Sequence, residues 1–347
     1  MDRLAVTRHR SDDGDARASG PYPRDMASPA AHPTNRAPLS LIWTALGAVY
    51  VIWGTTYLAI RVVNRTMPPL LAAGVRFLIA GGVLYALAIR KGDREGDRPT
   101  LEHWRSAAIV GGLLLFGGNG MVVWAERTIP SGLTALIIAL VPLWMALFDR
   151  LIFRHRLASR TVVGLVGGFG GAALLVGGSA TAGHVDLAGM LFALGASICW
   201  ASGSLYSRNA PLPSRPFVFV AMEMLCGGVL LTVVGIALGE LGQTDVAAFS
   251  TASIVGLLYL ITIGSWGGFA SYVWLLRNAR TSLVSTYAYV NPVVAVFLGW
   301  LILQERVTLR TFAAGGIIVV AVALIISAAG ARRTDEEAEA EPEGALA

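Results

Sequence analysis

From about residue 40 to about residue 330 the chain is a succession of apolar stretches separated by short polar segments. About 20 apolar residues in a helix cross a hydrocarbon core of roughly 30 Å. Ten stretches have that length: about 40–60, 69–89, 106–125, 128–148, 161–179, 187–206, 217–238, 253–275, 283–303 and 311–329. None alternates with a period of two, and lipid does not tolerate unpaired backbone groups, so each is expected to be an α-helix. The pattern predicts an all-α polytopic membrane protein with ten transmembrane helices. Residues 1–38 mix six Arg and five Asp with Pro, Ser and Ala, and read as a disordered leader rather than a cleaved signal peptide. Residues 331–347 read as an acidic, solvated tail without fold.

Composition sharpens this picture. Hydrophobic residues make up 55% and charged residues 14%, with a mean hydropathy of +0.63. A soluble domain carries about 25% charged residues, so a water-facing surface of ordinary polarity is excluded. The 40 glycines suit closely packed membrane helices. Cys199 and Cys226 both fall in apolar runs, which excludes a disulfide framework or a zinc-finger spacing. All five histidines (His9, His32, His103, His155, His184) lie in polar stretches, so no metal or cofactor is expected. With the amino terminus in the cytoplasm, 21 of the 27 Lys and Arg fall in inner segments, 5 in outer ones, and Arg76 inside a span. That asymmetry predicts both termini in the cytoplasm. The net charge of +5 then reflects topology and calls for no nucleic-acid partner.

The two halves repeat. Trp53 and Trp200 are 147 residues apart, as are Arg61 and Arg208, Pro69 and Pro216, and Gly81 and Gly228. Later the offset is 150: Gly117-Gly118 with Gly267-Gly268, Trp124 with Trp274, Pro142 with Pro292, Arg156 with Arg306, and Arg160 with Arg310. Five spans per copy is an odd number, so the second copy is expected upside down relative to the first. Inverted repeats suit alternating access around a site near the bilayer midplane.

Trp53-Gly54-Thr55-Thr56-Tyr57-Leu58-Ala59-Ile60-Arg61, with Ala73-Gly74-Val75-Arg76-Phe77 after it, resembles the first EamA domain of the drug/metabolite transporter superfamily. So do Gly118-Asn119-Gly120 through Trp124-Ala125-Glu126-Arg127, then Pro130-Ser131-Gly132-Leu133 and Val141-Pro142-Leu143-Trp144. The second copy carries Tyr289-Val290-Asn291-Pro292 and Gln304-Glu305-Arg306. The resemblance implies a first EamA repeat over 39–180, a second over 186–330, placement in the bacterial inner membrane, and electrochemically driven efflux of metabolites, amino acids or drugs. His155 stands where the family usually has the Glu that Glu305 supplies in the second copy, which puts a symmetric role for that Glu in doubt.

Several residues could carry function. Arg76, about seven residues into its span, is expensive in lipid and is normally turned toward protein or water. It reads as an anchor for a substrate carboxylate or as a structural Arg paired with Glu126 or with backbone carbonyls near the outer rim. Glu223, 147 residues further on, is the one acid well inside a span. It reads as a proton-coupling group or as a hydrogen-bonded structural Glu. Trp53, Thr56 and Tyr57, and in the second copy Trp200 and Ser204, could line a pocket or join helices. Asn119, between glycines, could touch a ligand or a neighbouring helix. Pro142 and Pro292 are expected to kink matched spans. Ser285 and Tyr289, spaced i and i+4, with Asn291, would give the second repeat a polar cavity wall. The GxxxG spacings Gly164/Gly168, Gly167/Gly171 and Gly264/Gly268 leave a homodimer open but say little in so glycine-rich a chain.

An intramembrane enzyme would need a second deep acid, a His pair or a Ser–Lys or Ser–His couple, and no span contains His or Lys. The expected function is secondary active export of a small molecule by alternating access, coupled to a proton gradient across the bilayer. A facilitator or importer, and a structural or sensory membrane protein, are the alternatives.

Overall fold

The structure, a computed structural model, describes residues 38–90, 98–154, 157–182, 186–279 and 281–340. The expectations for the leader, for His155 and for residues 341–347 lie outside the described residues. Among those described, no strand occurs, and eight helical segments are long and apolar enough to cross a membrane. Two shorter apolar helices, Ser159–Leu175 and Tyr287–Leu303, accompany them.

The first half holds α1 (Leu39–Val63), α2 (Pro69–Arg90), α3 (Leu101–Gly111), α4 (Met121–Ala125), α5 (Ser131–Ile138), α6 (Val141–Phe153) and α7 (Ser159–Ala182). The second holds α8 (Leu187–Ser207), α9 (Pro216–Ala237), α10 (Thr251–Tyr259), α11 (Gly268–Asn278), α12 (Thr281–Val284), α13 (Tyr287–Leu303) and α14 (Leu309–Ala340). The third span of each half is not uniform α-helix. A π-helical stretch, π1 (Gly112–Gly120), joins α3 to α4, and π2 (Leu260–Gly267) joins α10 to α11. Apolar periodicity barely distinguishes the two helix types. Within π2 the Ser265 hydroxyl donates to the Leu260 carbonyl five residues back, at 2.9 Å.

The two prolines sit differently in their spans. The span beginning at Ser131 breaks at Ala139–Leu140, and Pro142 sits in the first turn of α6, where a missing N–H costs nothing. Pro292 instead lies inside α13, and the break in that span falls earlier, at Ser285–Thr286. There the Thr286 hydroxyl turns back to the Leu283 carbonyl at 2.5 Å and also bonds the Tyr50 hydroxyl. The helix α14 continues to Ala340, past the expected end near 330, because Ala-Arg-Arg-Thr-Asp-Glu-Glu-Ala-Glu-Ala is rich in strong helix formers.

Helix pairing has a regular plan. The helices α2 and α9 lie against each other, as do α7 and α14. The helix α1 packs on α13, α11 and π2, while α8 packs on α5, α6, α4 and π1. Each of these pairings recurs when the halves are exchanged. Single contacts follow the same rule: Trp53 lies against Gly268, and Trp200 against Gly118. Arg154 (φ 57°) and Gln304 (φ 56°), the two described non-glycine residues with positive φ, end α6 and α13 at positions 150 apart.

One end of the bundle is well defined, and it is named here by Arg61. The Arg61 guanidinium donates to the carbonyls of Glu126 and Ile129, the latter at 3.1 Å. The Glu240 carboxylate accepts from the backbone N–H groups of Leu70 (3.2 Å) and Leu71 (2.9 Å), the first donors of α2 after Pro69. Glu305 accepts from Ser131 N and Ser131 Oγ, both at 2.9 Å, and from Gly132 N at 3.2 Å, capping α5. Thus α1, α9 and α13 finish at this end, and α2, α5 and α10 start there. The helix α8 also starts there, with Gly189 against Thr128 and Ile129.

Glycines admit the closest approaches. Gly164, Gly168 and Gly171 of α7 lie against Ile325, Ala321 and Ile318 of α14, and Gly268 lies against Trp53. The GxxxG faces are therefore occupied within the chain. Outward stripes such as Val75, Ile79 and Val83 on α2, and Val229, Val233 and Ile236 on α9, remain exposed, as a lipid-facing surface requires.

Candidate functional site

Arg76, on α2, is only 6% exposed. Its Nε donates to Ser265 Oγ at 3.1 Å, so the π2 stretch supplies the partner. The guanidinium carbon stands 4.6 Å from the Phe77 ring centroid. Gly264 leaves room beside it: Arg76 Nη2 and the Thr56 methyl each come within 3.5 Å of where a Cβ would stand. A cation–π contact of about 0.5–2 kcal/mol and one hydrogen bond offset only part of the cost of a buried cation. Glu126, named in the structural reading as a partner, is not paired with Arg76; neither is Glu223.

Trp53 anchors an aromatic cluster formed by three spans. Its ring lies 5.7 Å from Phe269, 5.1 Å from Tyr272 and 5.1 Å from Tyr287. Tyr272 and Tyr287 meet edge to face, with ring centroids 5.7 Å apart. Tyr57, one turn beyond Trp53, packs against the larger core. The Thr56 hydroxyl is spent on the Trp53 carbonyl at 2.6 Å.

The remaining expectations fare unevenly. Trp200 packs on Gly118, with half-buried Asn119 next to it in π1. Ser204 is half-buried, and its carbonyl accepts from Ser207 Oγ at 3.0 Å. The shared helical face of Ser285 and Tyr289 does not form, because the helix breaks at Ser285–Thr286. Tyr289 packs against a second core, and Tyr287 lies beside Trp53. Asn291 is 7% exposed, and among the described residues its Oδ1 has no hydrogen-bond partner. Glu223 is 5% exposed, its backbone lies against Gly111, and Tyr272 is in its electrostatic reach. Ser265, Tyr272 and the capping role of Glu240 escaped the sequence reading. The doubled glycines 117–118 and 267–268 were the available signal for the π stretches.

A cavity of about 340 Å³ opens at the Arg61 end, walled by Arg61, Asn64, Arg65, Glu126, Arg127 and Glu305 together with Leu303.

Lipid-facing helices and paired halves define a multi-pass membrane protein. The EamA-like transporter family model matches residues 39–177 and again 187–327, and the chain belongs to that family. It is 39% identical over 285 residues to the Escherichia coli (strain K12) protein named uncharacterized inner membrane transporter YedA, covering 82% of this chain and 90% of that one. It is 25% identical over 303 residues to the probable amino-acid metabolite efflux pump of the same organism, covering 82% and 93%. A solved crystal structure, 22% identical with a TM-score of 0.53, covers 87% of this chain and 99% of its own, and shows the fold alone.

Proposed function

We propose that the protein is a secondary active exporter of small metabolites, amino acids or drugs across the bacterial inner membrane, driven by a proton gradient. It would work by alternating access of two inverted five-helix repeats, over 39–180 and 186–330. The observation that carries this reading is the exchange rule in the packing: each helix pairing named above recurs with the halves swapped. The opposed directions of α1 and α8 at the Arg61 end support the inversion. The names of the relatives support the membrane and the efflux direction.

With the basic loops inside, the Arg61 end faces outward. There Glu240 and Glu305, both from the second half, hold α2 and α5 of the first half closed. Opening that side requires these carboxylates to release helix N-termini. Arg76 would bind a substrate carboxylate, with Trp53 and its aromatic neighbours holding the apolar part. Asn119, Trp200, Ser204 and Asn291 are further contact candidates, and Glu223 is the proton-coupling candidate.

The test is uptake into everted vesicles of labelled amino acids and of cationic dyes, with and without a protonophore. Protonophore-sensitive accumulation that Arg76→Gln abolishes, at unchanged protein level in the membrane, is expected. Accumulation insensitive to the protonophore would reject the gradient-driven exporter. In Glu223→Gln, dependence on a pH gradient should vanish, and its persistence would remove that residue from the role.

A further inference from the structure

Glu126 has no part in the transport reading above, yet its surroundings are unusual. It follows the span Leu101–Ala125, is 0% exposed, and among the described residues neither carboxylate oxygen has a hydrogen-bond donor. It still contributes to the wall of the cavity at the Arg61 end.

The neighbouring cations are turned elsewhere. Arg61 of α1 directs its Nη1 to the main-chain carbonyls of Glu126 and Ile129 and not to the carboxylate. Arg127 lies over the Trp124 ring, 5.2 Å from its centroid. Arg65, in the turn after α1, lines the cavity and is exposed. Glu305, from the loop after α13, faces Glu126 with a like charge while its oxygens cap α5. Tyr57 of α1 is in electrostatic reach, and among the described residues α2 and α8 add no charge here. A carboxylate at a helix C-terminus also opposes the negative end of the helix dipole. A buried carboxylate with no donor, at that end and beside a second carboxylate, is the costly form; the neutral acid is not.

We propose that Glu126 is a proton-binding site that exchanges its proton with the cavity at the Arg61 end, a second proton group distinct from Glu223. In the conformation seen here the acid is neutral and Arg61 stays on the carbonyls. Loss of the proton to cavity water leaves a carboxylate that attracts Arg61, and Arg61 must leave the carbonyls to reach it. Only an O–H bond is broken and re-formed. The role in transport rests on the proton-driven reading, but the site itself does not.

Two measurements separate them. The first uses purified full-length protein in lipid nanodiscs and pH-difference infrared spectroscopy of the protonated-carboxyl region. A titrating band should be lost in Glu126→Gln, shifted in Glu126→Asp and retained in Glu223→Gln. A spectrum unchanged by Glu126→Gln across the pH range overturns the site. The second uses everted vesicles and the cationic dye ethidium. If wild-type accumulation follows an imposed pH gradient, Glu126→Gln should reduce that dependence at least tenfold while dye exchange without a gradient persists. An intact gradient response in that variant overturns the transport role. If the wild type itself ignores the gradient, the proton-driven reading and the transport role fall together, and the infrared result still decides the site.

Discussion

Replacing Glu240 by Ala removes the only side chain described at the first donors of α2. Pro69 brings no N–H, and α2 leaves its next two donors, Leu70 and Leu71, to the two carboxylate oxygens of Glu240 at 3.2 and 2.9 Å. Glu240 is 7% exposed and Leu70 is 4% exposed, so water does not readily replace the acceptor. An unsatisfied buried donor costs about 1–3 kcal/mol, and bonds to a charged acceptor sit toward the upper part of that range. Two donors, one of them longer and weaker, give a loss of about 2–4 kcal/mol. Gln keeps one good acceptor and should lose about half as much. Thermal unfolding of the detergent-purified protein, read by exposure of Cys199 and Cys226 to a thiol-reactive dye, ranks the wild type above Glu240→Gln and that above Glu240→Ala. Equal midpoints for all three variants would refute the argument that a carboxylate from the second half holds α2.

Glu305→Ala should act in the same way on α5, with a loss of about 1–3 kcal/mol in the same assay, since Glu305 is half-buried and Ser131 Oγ remains near its own helix N-terminus. Gly164→Val should destabilise by about 1–3 kcal/mol, because even a Cβ would stand 2.9 Å from the Ala321 carbonyl and 2.7 Å from Ile325; an unaltered melting midpoint would show that α7 and α14 can separate freely. Burial pushes the Glu126 carboxyl well above its ordinary value of 4.5, with Arg61 opposing and Glu305 adding to the rise. A carboxyl raised on folding gives stability that is complete below the unfolded value and is lost as pH climbs toward the folded one. Glu126→Gln should therefore gain on the wild type by up to about 1.4 kcal/mol per pH unit across that window, and a constant difference between the two melting curves would contradict it. Ser265→Ala should weaken transport less than Arg76→Gln, since it removes the partner at 3.1 Å but leaves the cation; equal loss in both variants would mean that Ser265 has its own contact with the solute.

The sequence by itself determined the class of protein. Ten apolar stretches and the registered Trp, Pro, Gly and Arg pairs at 147 and 150 are properties of the chain, because lipid imposes span length and a repeat needs no coordinates to be seen. The oddity of Arg76 and Glu223 was also legible, since a charge in an apolar run is costly wherever it points. Their surroundings were not legible. That Arg76 meets Ser265 and not Glu126, that the polar face of Ser285 and Tyr289 is cut by a break, and that Tyr287 and Tyr272 join Trp53 depend on which helices are neighbours and on where π-helical turns shift the register. Glu240 and Glu305 sit in ordinary polar loops, and only the approach of α2 and α5 from the other half makes them caps. Apolar length and helix direction act along one chain segment at a time, whereas side-chain partnership is a relation between segments, and that is settled only by packing.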